Sequence, residues 1–293
     1  MEPISFHRPV LLGEVREWLS VRPGMVVVDG TLGDGGHSEL LCELVGPTGL
    51  VIGIDRDPEA IPLVEQRLTR FSDRFLAVNG NFKDLPELVA THTVRPIDRV
   101  LLDLGWSTTQ FVTRGRGFSF MTNEQLDMRF NPSENTESAG DIVNTASLRE
   151  LIRIFRLYGE ERRAEQIAEA IVAAREREPI TTTQQLANIV VSVAPRVGAI
   201  HPATQVFQAL RIAVNDELAA LREALNTITT AIPHNARVAI ITFHSLEDRI
   251  VKRFISTRTD VKAITKKPII PTEDEIRDNP RSRSSKLRIF EKV

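Results

Sequence analysis

Short apolar runs and helix-period stripes alternate along the first third of the chain. Residues 25–29, Met-Val-Val-Val-Asp, are apolar up to a closing acid and run into the glycine-rich stretch 30–36. That is the pattern of a buried strand entering a tight turn. Leu40, Leu41 and Leu44 then share one face of a predicted helix. Residues 50–54 read as a second strand ending at Asp55, and Pro58 suits the first turn of a helix reaching about residue 70. Residues 75–78 and 100–104 complete four strand-like runs. Strands alternating with helices predict an α/β protein with a parallel, doubly wound sheet and right-handed crossovers.

The alternation stops near residue 113. From there to about residue 144 the chain is polar and irregular, and after it come only helical stripes. Leu148, Leu151, Ile152 and Phe155 have amphipathic spacing, as do Ile167, Ala168, Ile171 and Val172. Thr181-Thr-Thr-Gln184 fits a capping box before a helix carrying Leu186, Ile189, Val190 and Val193. His201-Pro-Ala-Thr204 opens what reads as one long helix, with a stripe from Val206 to Ile228. Strand character returns at residues 237–243 and 287–292. The expected organisation is a helical domain, residues 111–204, inserted into an α/β domain made of residues 1–110 and 205–293.

Composition changes this picture little. Of 293 residues, 42% are hydrophobic and 26% charged, which suits a globular core, and the net charge of −2 predicts no polyanion partner by itself. The average conceals a gradient, because residues 249–293 hold 13 Lys/Arg against six Asp/Glu. A basic end of that kind suits phosphate contact or a solvated face. Cys42 is the single cysteine, so no intrachain disulfide or all-cysteine metal site can form. The opening residues lack a signal-peptide pattern, and no apolar run approaches the ~20 residues that span a bilayer. A cytoplasmic protein without membrane segments is expected.

The sharpest local signal is Asp29-Gly-Thr-Leu-Gly33-Asp-Gly35-Gly36-His37, between a strand and a helix. Glycines there admit close approach of a ligand, and the helix start offers free N–H groups. Asp55, at the tip of the next strand, stands where an acid accepts ribose hydroxyls. An acid at the first strand tip would repel a pyrophosphate, whereas Asp29 and Asp34 suit the sulfonium and ammonium of S-adenosylmethionine. The competing readings are a nicotinamide site, or glycines serving only a turn. Asn81 and Phe82, after the third strand, suit an amide and a ring face for adenine, or a core phenylalanine. Asp103-Leu-Gly105 ends the fourth strand at the edge where open α/β sheets bind ligands, or caps a loop.

These pieces coincide with one family. The chain resembles the ribosomal RNA small subunit methyltransferase H (MraW) family over nearly its whole length. The matching stretches are residues 29–38, Ile54-Asp-Arg-Asp-Pro58, residues 101–105, Arg116-Gly-Phe-Ser-Phe-Met121 and Leu126-Asp-Met-Arg129. They continue with Tyr158-Gly-Glu-Glu-Arg162, His201-Pro-Ala-Thr204, Phe207-Gln-Ala209, Phe243-His-Ser-Leu-Glu-Asp-Arg249 and Asn279-Pro-Arg-Ser-Arg-Ser284. The resemblance implies a Rossmann-like S-adenosylmethionine-dependent methyltransferase with an inserted helical substrate domain. It implies N4-methylation of a cytidine in the decoding region of 16S rRNA within the small ribosomal subunit. It places cofactor contacts at Gly35, Gly36, His37, Asp55, Phe82, Asp103 and Gln110. Two positions depart from the family pattern: Trp106 stands where small residues usually follow Asp-Leu-Gly, and Gln205 where an arginine usually follows His-Pro-Ala-Thr.

Methylating a cytosine amine requires N4 in line with the methyl donor and an acceptor for its N–H groups as they become acidic. Asp103 is the first candidate for that catalytic role. Methylation at cytosine C5 would need a cysteine nucleophile, and Cys42 lies inside a predicted helix as core filler. Ser245 with Asp248 fits a helix cap after residue 243, while the functional reading puts His244 and Ser245 at the rim of the site. No metal is expected, because His244, Glu247 and Asp248 lack a partner cluster. RNA contact would come from Arg114, Arg116, Arg129, Arg281, Arg283, Lys286 and Arg288, with Phe118, Phe120 and Phe130 either stacking bases or filling core. The rival functions are a nicotinamide-dependent oxidoreductase and a noncatalytic RNA-binding assembly factor. Oligomeric state stays open, a homodimer included.

Overall fold

A computed structural model describes residues 8–105, 115–134, 136–194 and 201–293. The chain forms two compact units, Met1–Ser107 with Leu218–Val293, and Thr108–Glu217. Among the described residues no helix is long and apolar enough to cross a membrane.

The first unit is built on a seven-stranded sheet: β1 (Val26–Asp29), β2 (Leu50–Asp55), β3 (Phe75–Asn79), β4 (Arg99–Asp103), β5 (Arg237–Thr242), β6 (Val261–Ala263) and β7 (Lys286–Lys292). Their order is β3-β2-β1-β4-β5-β7-β6. The first five run parallel, and β7 enters antiparallel between β5 and β6. Alternate side chains serve opposite faces. Val27, Val51, Leu101 and Ile241 pack with α1 (Leu12–Leu19), α2 (Gly36–Val45) and α3 (Ala60–Arg67). Val28, Ile52, Leu102 and Ile240 pack instead with α4 (Leu85–Ala90) and with two later helices. Both faces are covered, which is why these strands read as continuous apolar runs rather than as alternation. The strand order reverses between β1 and β4, and at such a point the carboxyl edge opens into a crevice. The Rossmann-like α/β expectation holds. The short β6 has no counterpart in the predicted elements, and the predicted helix after Pro58 ends at Arg67, followed by a 3-10 turn, Thr69–Phe71.

The second unit is helical: α5 (Ala139–Thr145), α6 (Leu148–Gly159), α7 (Ala164–Arg175), α8 (Thr183–Val193) and α9 (Ala203–Asn215). Its capping box uses Thr182 and Gln185, one residue later than Thr181 and Gln184. The long helix expected from residue 201 breaks at Asp216, whose backbone is left-handed at φ 51°. The buried Asn215 fixes that break: its side-chain oxygen accepts from Phe130 N at 2.9 Å and its amide donates to Met128 O at 2.8 Å. A second helix, α10 (Glu217–Ala231), carries the chain back to the α/β unit. The helical unit therefore runs to Glu217, past the expected boundary at 204/205. The last long helix of the α/β unit is α11 (Ser245–Thr257), and a short α12 (Glu273–Asp278) precedes β7.

Candidate active site

The tips of β1, β2 and β4 bring three acids to one edge of the sheet. The first, Asp29, is wholly buried. One of its carboxylate oxygens accepts from Ser38 Oγ at 2.7 Å and the other from Thr31 N at 3.3 Å. Burial pushes its carboxyl up from the ordinary carboxylate range, against the His37 imidazole and the Ser38 hydroxyl, which pull it down. An open carboxylate facing a cationic ligand was the expectation for Asp29. The structure instead puts it beneath the loop, as the post to which the start of α2 is tied.

The loop is held from both sides by β2. Leu32 N donates to Ile54 O at 2.8 Å, and Gly33 N donates to Asp55 Oδ2 at 2.8 Å. Gly35 has φ +77°, and a Cβ there would lie 2.6 Å from Val64 Cγ1, so this turn admits only glycine without strain. Gly36 begins α2 against the Pro9 ring, which a Cβ would approach to 3.0 Å. Asp55 Oδ1 accepts from Asp57 N at 2.9 Å. Asp55 thus binds the glycine loop through one oxygen and the start of the next turn through the other. Phe82, half-buried, begins a 3-10 turn that Asn81 caps by accepting from Lys83 N at 3.1 Å.

Asp103, at the tip of β4, is locked at the backbone: its N–H donates to Thr31 Oγ1 at 2.6 Å. Its Oδ1 accepts from Gly105 N at 3.2 Å, and its Oδ2 stands 3.4 Å from Nε2 of His37, a buried residue. The side chain remains 19% exposed, enough for a carboxylate to meet a ligand. The structure therefore brings Gly35, Gly36, His37, Asp55 and Asp103 to one edge and sets Phe82 after the neighbouring β3. Gln110, Trp106 and Arg114 lie outside the described residues. Thr31 and Ser38, which tie the β1 tip to β4 and α2, were not singled out from the sequence. Their one signal is a pair of hydroxyls flanking a glycine loop.

After β5, the cap of α11 is His244 with Glu247, not Ser245 with Asp248. His244 Nδ1 accepts from Glu247 N at 3.4 Å, and Glu247 Oε2 accepts from Phe243 N at 2.8 Å and His244 N at 3.3 Å. Asp248 turns instead to β7, where Arg288 Nε donates to its Oδ1 at 2.6 Å and Lys286 Nζ lies 3.6 Å from its Oδ2. These partners hold its carboxyl below the ordinary range despite the opposing effect of burial. Arg288 and Lys286 are consequently engaged within the fold.

The same holds in the helical unit. Arg129 donates to both oxygens of Asp127, at 2.9 and 2.6 Å, and the buried Arg116 donates to Phe130 O at 2.9 Å. Phe118 is buried and stacks on Phe130, with centroids 5.6 Å apart, while Phe120 stacks on the His201 ring at 4.6 Å. Of the described cations expected at RNA, Arg281 and Arg283 are the exposed pair.

Residues 4–293 match the model of a family described as the MraW methylase family. The chain is 46% identical over 292 residues to a protein of Deinococcus radiodurans, covering 99% of this chain and 91% of that one. It is 44% identical over 308 residues to a protein of Trichlorobacter lovleyi, covering 98% of each. A protein of Geobacter sulfurreducens is also 44% identical, over 98% of this chain and 99% of its own. All three relatives carry the name ribosomal RNA small subunit methyltransferase H.

Proposed function

The chain belongs to the MraW methylase family and is an S-adenosylmethionine-dependent methyltransferase of small-subunit rRNA, and we propose that its target is the exocyclic N4 of a cytidine in the decoding region of 16S rRNA. The observation that carries this reading is Asp103, a partly exposed carboxylate fixed at the carboxyl edge of β4, beside the glycine loop. Such a group accepts hydrogen bonds from an amine whose protons become acidic as it is alkylated.

S-adenosylmethionine supplies the electrophilic methyl group. The residues present fit it: Gly35 and Gly36 leave the loop without side-chain bulk, and Asp55 sets a carboxylate at the tip of β2, where an acid accepts ribose hydroxyls. Gly35, Gly36, His37, Asp55, Phe82 and Asp103 are the proposed contacts, with Gln110 added on the family pattern. The nicotinamide alternative falls with the family assignment. A carbon-directed chemistry is disfavoured because Cys42 is buried inside α2 and its thiol is pushed up to about 12, chiefly by burial. An amine in a base pair is out of reach, so the target cytidine acts unpaired or extruded. Arg281 and Arg283 are the proposed phosphate contacts, and the cytoplasm is the proposed working place.

Nucleoside mass spectrometry of 16S rRNA from cells with and without the protein tests the reading. The expected result is loss of N4-methylcytidine from one decoding-region position. An unchanged modification pattern refutes it. Asp103→Asn is expected to lower the single-turnover rate about 10²-fold, and an unaltered rate removes the carboxylate from the chemistry.

A further inference from the structure

One buried side chain at this edge lacks its hydrogen bonds. His37 is 5% exposed, and neither ring nitrogen has a hydrogen-bond partner among the described residues. Native folds rarely bury a polar ring this way without a use for it. Its Nε2 stands 3.4 Å from Asp103 Oδ2, out of line for a hydrogen bond. Two carboxylates flank the imidazole. Asp29 on β1 is satisfied by Ser38 and Thr31, and His37 exerts the largest charge effect on it. Among the described residues, Asp103 on β4 accepts a hydrogen bond at Oδ1, from Gly105 N–H, and none at Oδ2.

We propose that His37 is a positioning residue for Asp103, donating its Nε2–H to Oδ2 after a small rotation of the carboxylate. Both oxygens are then fixed, one by backbone and one by the ring. The role rests on the reading that Asp103 faces the target amine. Without the imidazole, the carboxylate turns about its Cβ–Cγ bond, and misplacing a catalytic group by ~1 Å costs on the order of 10²-fold in rate. The hydrogen bonds that Asp29 accepts from Ser38 and Thr31 anchor the helix turn that carries His37.

Nitrogen-15 histidine NMR of the full chain tests the bond without measuring methyl transfer, with the His37 signals assigned by their loss in His37→Gln. A slowly exchanging ring N–H on Nε2 is expected, and it should vanish or move in Asp103→Ala. A ring protonated on Nδ1 alone, or an Nε2–H indifferent to Asp103→Ala, overturns the role. Kinetics supply a second arm. The amide nitrogen of glutamine reaches the place of Nε2, whereas that of asparagine reaches only Nδ1. His37→Asn should lower the single-turnover rate at saturating donor about 10- to 100-fold, and His37→Gln should recover most of that loss. Equal losses in the two variants, or none in His37→Asn, overturn it. A normal rate in Asp103→Asn instead overturns the assignment of Asp103 itself, and the NMR result tells the two failures apart.

Discussion

The glycine turn offers the most direct test of how this edge is built. Gly35→Ala places a methyl group 2.6 Å from Val64 Cγ1 at a residue with φ +77°. The left-handed backbone alone costs an alanine roughly 1–2 kcal/mol. The overlap adds about 1–3 kcal/mol, because Val64 is buried and cannot move into solvent. Gly35→Ala should therefore destabilise by about 2–5 kcal/mol. Val64→Ala removes two buried methyl groups, worth roughly 1.6 kcal/mol in transfer plus a cavity contribution. The two substitutions should not add. With Val64 truncated, the new methyl has room, and only the backbone cost survives. Equilibrium urea unfolding of both single variants and the double variant, without ligand, measures the coupling. The double variant should be about 1–3 kcal/mol more stable than the sum of the singles predicts. Additivity within about 0.5 kcal/mol would refute the claim that Val64 and Gly35 define the turn sterically.

Cys42, with its thiol pushed up to about 12 by burial, should resist iodoacetamide at pH 8 in the native protein and react in guanidinium. Cys42→Ala should keep methyl transfer, and its loss would reopen cysteine-based chemistry. Asp55→Ala should weaken S-adenosylhomocysteine binding at least about tenfold by calorimetry, equivalent to about 1.4 kcal/mol. An unchanged dissociation constant would exclude Asp55 from the pocket. Asp248→Asn loses a carboxylate held by Arg288 and Lys286, and should cost about 1–2 kcal/mol near neutral pH. Because the folded carboxyl sits below its unfolded value of 3.8, this stability is present above that pH. It is lost as pH falls through the folded value, so the wild-type and variant unfolding curves should converge in acid. A gap independent of pH would refute the ion-pair account.

What the sequence makes legible here is what is settled within a dozen residues. β1, β2, β4 and β5 are apolar runs bounded by acids, glycine or arginine, buried on both faces, and their pattern survives any tertiary context. β6 is Val-Lys-Ala, with only Val261 buried, and it is a strand because β7 supplies its partner. The stripe from Val206 to Ile228 keeps helical period straight through Asp216, so nothing local announces the break. It is set by Asn215 bonding Phe130 and Met128, more than 80 residues away. The site divides along the same line. Gly33 of the glycine turn and Asp55 lie 22 residues apart and bond directly, as their spacing suggests. Whether Asp29 is open or buried depends on Ser38 reaching back beneath the loop. The basic tail shows the consequence for function. Counting charges marks Lys286 and Arg288 as free for phosphate, yet Asp248, 40 residues earlier than Arg288, holds both on the return strand. A cation already paired and partly desolvated contributes little to counterion release on RNA. The salt dependence of RNA binding should accordingly respond to Arg283→Ala and far less to Arg288→Ala, although the sequence offers no reason to rank them.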